Sequence, residues 1–85
     1  MFAIFLNPKM SNVLAEYLNR KYMERLAKEG RGYSLRAFAG ELGINERTLA
    51  RMMDETINMK GVQLANMQKI ARVYKADFLR AMGLL

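Results

Sequence analysis

The chain has no cysteine and no histidine, and its only proline is Pro8. Without cysteine, disulfides and thiolate metal sites are excluded. Without histidine, the commonest general base and the commonest metal ligand are missing together. Catalysis would have to run on carboxylate, lysine, tyrosine or hydroxyl groups, in a chain of 85 residues with little room to enclose them. No enzyme, cofactor or metal site is therefore expected. Long apolar runs are also lacking: nothing approaches the roughly 20 residues that span a bilayer. The opening Met1-Phe2-Ala3-Ile4-Phe5-Leu6 has no positive n-region and stops at Asn7-Pro8, too short for a signal peptide. The expectation is a cytoplasmic protein with no membrane partner.

What is present is a hydrophobic content of 52%, enough for one thin core in one domain. A chain this small leaves much of its surface wet, so self-association is a natural source of added stability. The net charge of +6 favours polyanionic partners, although many basic proteins bind none.

Residues 1–9 read differently from the rest. Phe2, Ile4, Phe5 and Leu6 have strand propensity, and Pro8 is expected to interrupt any helix. This segment is either a flexible arm or leader, or an apolar arm that docks on the core or pairs with a second copy. The domain proper is read as 10–85. Ser11 or Asn12 is expected to cap a first helix running to about Glu29, with Leu14, Leu18, Tyr22 and Leu26 recurring every four residues. Val13 and Tyr17 widen that stripe, and Gly30-Arg31-Gly32 ends the helix.

Ser34 caps a short second helix with Leu35, Phe38, Ala39 and Leu42 on its apolar face, and Gly43 breaks it. Asn45 caps a third, Glu46 to about Met53, with Leu49, Met52 and Met53 facing inward. Residues 54–62 are read as a loop. A fourth helix, about Gln63 to Tyr74, is expected to bury Leu64, Met67, Ile70, Ala71 and Tyr74. Lys75-Ala76 form a tight connection, and Asp77 caps a short fifth helix with Phe78, Leu79 and Met82 inside. No internal repeat and no convincing strand pair is visible. The expected fold class is all-α, a compact five-helix domain.

The informative stretch runs from Leu35 to Met53. Two helices joined steeply by a three- or four-residue turn must nearly touch beside that turn. Ala39 is small enough to permit the approach, Gly43 can take the positive φ that reverses the chain, and Phe38, Leu42, Ile44, Leu49 and Met52 plug the angle. Here the chain resembles the lambda-repressor-like (Cro-type, XRE) helix-turn-helix family, through Phe38-Ala39, Leu42-Gly43-Ile44 and Leu49, with Lys69-Ile70-Ala71 at the family's fourth-helix pattern. The resemblance extends over about Lys28 to Met82. It departs from the family in a longer loop after the third helix, a longer first helix, and the absence of the glycine often found near Lys75.

The resemblance implies double-stranded DNA as partner, with the third helix entering the major groove and the second lying across the backbone. The implied base readers are Asn45, Glu46, Arg47, Ala50 and Arg51. Arg47 and Arg51, four apart, share a face, and arginine paired with guanine is the commonest specific contact. Glu46 either accepts from a cytosine amino group or serves as a favourable carboxylate at its own helix N-terminus. Phosphate contacts fall to Ser34, Leu35 and Arg36 at the start of the second helix, and to Thr48, Asn58 and Lys60 beside the third. The motif itself is neutral, with Arg36, Arg47 and Arg51 against Glu41, Glu46 and Asp54. Attraction to phosphate must then come largely from the flanks.

A single helix-turn-helix reads few base pairs, so a homodimer on a two-fold site is expected, as a regulator and more specifically a repressor. Candidate dimer contacts are Phe78, Leu84 and Leu85 at one end and Phe2 and Ile4 at the other. The competing reading is a helix-turn-helix whose partner is another protein, favoured by the neutral motif and the apolar ends. Met52, Met53, Met67 and Met82 are expected in the core, whereas Met23 and Met59 are candidates for exposed, adaptable contacts.

Overall fold

Pro8 opens the first helix instead of interrupting it. In the computed structural model, which describes residues 3–5, 8–54 and 61–84, α1 runs Pro8–Glu29. The first helical position suits proline, because the N–H it lacks would have no intrahelical acceptor there. The expected caps Ser11 and Asn12 therefore lie inside α1, and the arm expected over 1–9 gives up its last two residues to it. Along α1, Leu14, Ala15, Tyr17 and Leu18 are buried, with Val13, Tyr22 and Leu26 half-buried at the margin of the stripe.

Three further helices follow: α2 Leu35–Leu42, α3 Glu46–Met53 and α4 Leu64–Ala81. α4 covers both the expected fourth and fifth helices, two helical stretches that meet at a kink where the tight Lys75-Ala76 connection was expected. The junction between them survives as a single non-helical residue, Lys75, at φ 52°, ψ −129°. A positive φ is costly for a residue with a Cβ, and glycine is the residue that takes it freely.

The second correction is a strand pair. β1, Ala3–Phe5, and β2, Gly61–Gln63, pair antiparallel with Ala3 opposite Gln63, Ile4 opposite Val62 and Phe5 opposite Gly61. Three-residue strands are too short to show an alternating pattern, so the sequence placed residues 61 and 62 in a loop. Residues 3–5 of the expected arm thus pair with a strand of their own chain.

The core is one cluster drawn from all four helices. Leu14, Leu18, Phe38, Leu49, Met52, Ile70 and Phe78 are each no more than 1% exposed. Complete burial of such a side chain is worth about 1.5–3 kcal/mol. Tyr17 packs on Phe78 at 5.3 Å between ring centroids and meets Tyr74 edge-on at 5.8 Å, fastening α1 to α4. Met67 and Met82 are buried as expected; Met53, Ala71, Tyr74 and Leu79 are only partly so, and Leu64 is exposed. Leu64 stands at the first position of α4, before the helix meets the others. Among the described residues no helix is long and apolar enough to cross a membrane.

Candidate nucleic-acid interface

The joint between α2 and α3 is built by three short-range devices. Ser34 sits in extended geometry and its Oγ accepts from the Ala37 N–H at 3.1 Å, starting α2. At the other end Gly43 adopts φ 72°, ψ 26°. Its N–H donates to Gly40 O at 3.2 Å, and that of Ile44 donates to Ala39 O at 3.0 Å. This is the paired closure by which a left-handed residue satisfies the last carbonyls of a helix. Asn45 then starts α3, its Oδ1 accepting from Arg47 N at 3.0 Å and Thr48 N at 3.3 Å. Three residues, 43–45, thus both end one helix and begin the next.

Ile44, Leu49 and Met52 are buried beneath this joint. With about 100° between successive helical residues, Arg47 points almost directly away from the Leu49–Met52 line and Arg51 lies to one side of that direction, about 40° round from Arg47. Both are exposed, as are Asn45, Glu46 and Ala50. Arg47, Ala50 and Arg51 therefore share the open side of α3, with Asn45 at its N-terminus. The Asn45 Oδ1 is engaged in capping, and by helical angle Glu46 falls on the Met53 side. Ser34 and Arg36 are exposed at the start of α2, while Leu35 and Thr48 are half-buried.

Three polar contacts that hold these helices had no sequence signal strong enough to find them. Asn19 of α1 donates from Nδ2 to Met53 O at 2.7 Å and to Ala15 O at 2.8 Å. It thereby satisfies the last carbonyl of α3. Arg25 of α1 bridges Glu41 of α2 at 2.8 Å and Glu29 at 3.0 Å, and lies over the Tyr33 ring. Tyr33 donates its hydroxyl proton to Glu41 as well. That bond, with Arg25 beside it, holds the Glu41 carboxyl below its ordinary range; burial and Glu41 push the Tyr33 hydroxyl up to about 12. On the far side Tyr17 donates to Asp77 Oδ2 at 2.6 Å and Lys21 pairs with the same oxygen at 3.2 Å, lowering the Asp77 carboxyl. Burial first, then Asp77, raises Tyr17 well above a normal phenol. Asp77, expected as a helix cap, instead ties α4 to α1.

The expected dimer contacts fare differently from one another. Phe78 is 1% exposed, locked between Tyr17 and the core, so it cannot present a surface; this corrects its assignment. Leu84 is 57% exposed. Ile4 lies in β1 opposite Val62. Phe2, Asn58, Met59, Lys60 and Leu85 lie outside the described residues. No group of His, Cys, Asp and Glu suited to a metal ion occurs among the described residues. No protein-family model, curated protein or solved structure matches this chain.

Proposed function

We propose that the chain is a sequence-specific double-stranded DNA-binding regulator, a repressor by mode of action, with α2 and α3 as its helix-turn-helix. The observation that carries this reading is the open face of α3. Arg47 and Arg51 project away from the buried Leu49 and Met52, along a helix started by Asn45 and set against α2 by a three-residue turn. A helix held this way can lie in a major groove with its N-terminal half against base edges. The fork of each arginine suits the two acceptors of guanine, worth roughly 1–3 kcal/mol of discrimination per pair.

Supporting contacts follow from the same geometry. The start of α2, with its forward-pointing N–H groups, Ser34 and Arg36, is placed to take a backbone phosphate. Glu41, already matched by Arg25, does not add an unbalanced negative charge to the face. Ala50 leaves room for a base methyl group, and Asn45 offers donors only. Glu46 acts chiefly on its own helix, where a carboxylate in the first turn is favourable. Two copies on half-sites about one helical turn apart give the recognition length that one α3 lacks.

The test is selection of bound duplexes from a random pool, followed by titration of the enriched sequence. A two-fold symmetric motif whose affinity falls steeply with salt supports the reading. Absence of binding by the folded protein at low salt overturns it and favours a protein partner instead.

A further inference from the structure

One stripe of α1 runs along the margin of its buried face, from half-buried Val13 to exposed Met23, and carries a pattern that the DNA reading does not use. Val13, Glu16, Arg20 and Met23 follow one another at spacings of three, four and three, which places them on a single narrow face. Glu16, Arg20 and Met23 are exposed, Met23 at 59%, and Val13 is half-buried. Beside Val13 opens a cavity of about 230 Å³ lined by Val13, Glu16, Tyr17, Arg20 and Ala81.

We infer that this stripe is the surface on which a second copy of the chain docks, α1 against α1 in antiparallel orientation. With the two-fold axis level with residue 18, Val13 stands opposite the partner's Met23, and Glu16 opposite the partner's Arg20. The same two pairings recur by symmetry on the other side of the axis, so one register matches apolar with apolar and acid with base four times. No other occupant is matched this way. A nucleic acid would meet Glu16 as well as Arg20, and an apolar partner would have to cover both charges, paired only with each other at i,i+4, with no group of its own to match them. The cavity lies where the partner's Met23 arrives, and methionine's flexible thioether chain is suited to filling such a recess.

The inference names the interface for the two-copy reading above, and it replaces Phe78 as the dimer contact. Its readout needs no DNA. A monomer that still binds duplex overturns this interface and leaves the DNA reading standing; a dimer that binds no duplex does the reverse.

The experiment is sedimentation equilibrium of the whole chain without DNA. Wild type is expected to dimerise. Glu16→Arg sets Arg against the partner's Arg20, Arg20→Glu sets two acids together, and each is expected to weaken the dimer at least about tenfold. An equimolar mixture of the two single variants, and the Glu16→Arg, Arg20→Glu double variant, are both expected to recover dimer. Far-UV circular dichroism checks that each variant is folded. Because the chain has no cysteine, Val13→Cys mixed with Met23→Cys should form a disulfide between different chains faster than either variant alone. Wild type that stays monomeric on the order of 100 µM overturns the inference, as does a dimer indifferent to Glu16→Arg, or mixed cysteine variants that fail to cross-link.

Discussion

Asn19 donates from Nδ2 to the backbone oxygen of Met53 at 2.7 Å, so a side chain in the middle of α1 holds the C-terminal end of α3. The same nitrogen donates to Ala15 O on its own helix. The contact fixes where α3 ends and at what height it sits against α1, and thus the aim of Arg47 and Arg51 on its outer face.

Replacing Asn19 with Ala is expected to destabilise the fold by about 1–2 kcal/mol, the usual cost of leaving a partly buried acceptor without its donor. Urea denaturation measures it. If α3 is aimed by this bond, the variant also loses affinity for the selected duplex beyond what its unfolded fraction explains.

Gly43 makes a cleaner probe of the turn, because a Cβ built there meets nothing within 4 Å while φ stands at 72°. Any penalty is therefore backbone strain rather than a clash. Gly43→Ala is expected to cost about 1 kcal/mol. Gly43→Asn should cost less, since asparagine tolerates the left-handed region, and Gly43→Val more, since its branched Cβ does not. Equal melting temperatures for the three variants would contradict this ordering.

Lys75 presents the opposite case. It holds φ 52° with a Cβ in place. Lys75→Gly is expected to stabilise the protein by about 1 kcal/mol, relief of strain outweighing the added freedom of the unfolded chain. A loss of stability would show that the Lys75 side chain contributes more than its backbone costs.

The pH dependence has two limbs. Glu41 and Asp77 are held below their ordinary range, so the stability they supply is present above about pH 4 and is lost as pH falls through their folded-state values. Tyr33 is raised to about 12, so its contribution is complete below about pH 10 and disappears as pH climbs from there to about 12. Tyr33→Phe should lower stability at pH 7 and reduce the alkaline limb, leaving the part carried by Tyr17 and the acid limb of Asp77 in place. Thermal melts across pH 2–12 separate the two.

The parts of the fold legible in the sequence are those written locally. Ser34, Gly43 and Asn45 act within four residues of themselves, and each does in the structure what its residue type and position indicate. The buried faces of α2 and α3 follow from spacing alone. What was not legible depends on partners distant along the chain. Asn19 interrupts an apolar stripe, but its acceptor is a backbone oxygen thirty-four residues on, and a carbonyl has no sequence signature. Asp77 looked like a cap because caps are local; its actual partners, Tyr17 and Lys21, lie on α1. Phe78 looked available near the C-terminus, yet its ring fills the space against Tyr17.

The most direct test of the central claim is a fluorescence-anisotropy titration of the selected duplex at two salt concentrations. Wild type would be compared with the Arg47→Ala, Arg51→Ala variant, both at exposed positions. Wild type is expected to bind tightly and to lose affinity steeply with salt. The variant should fold normally and lose roughly 2–6 kcal/mol of discrimination between the selected duplex and a scrambled one. Equal discrimination by the two proteins, or no binding by wild type at low salt, would contradict that claim.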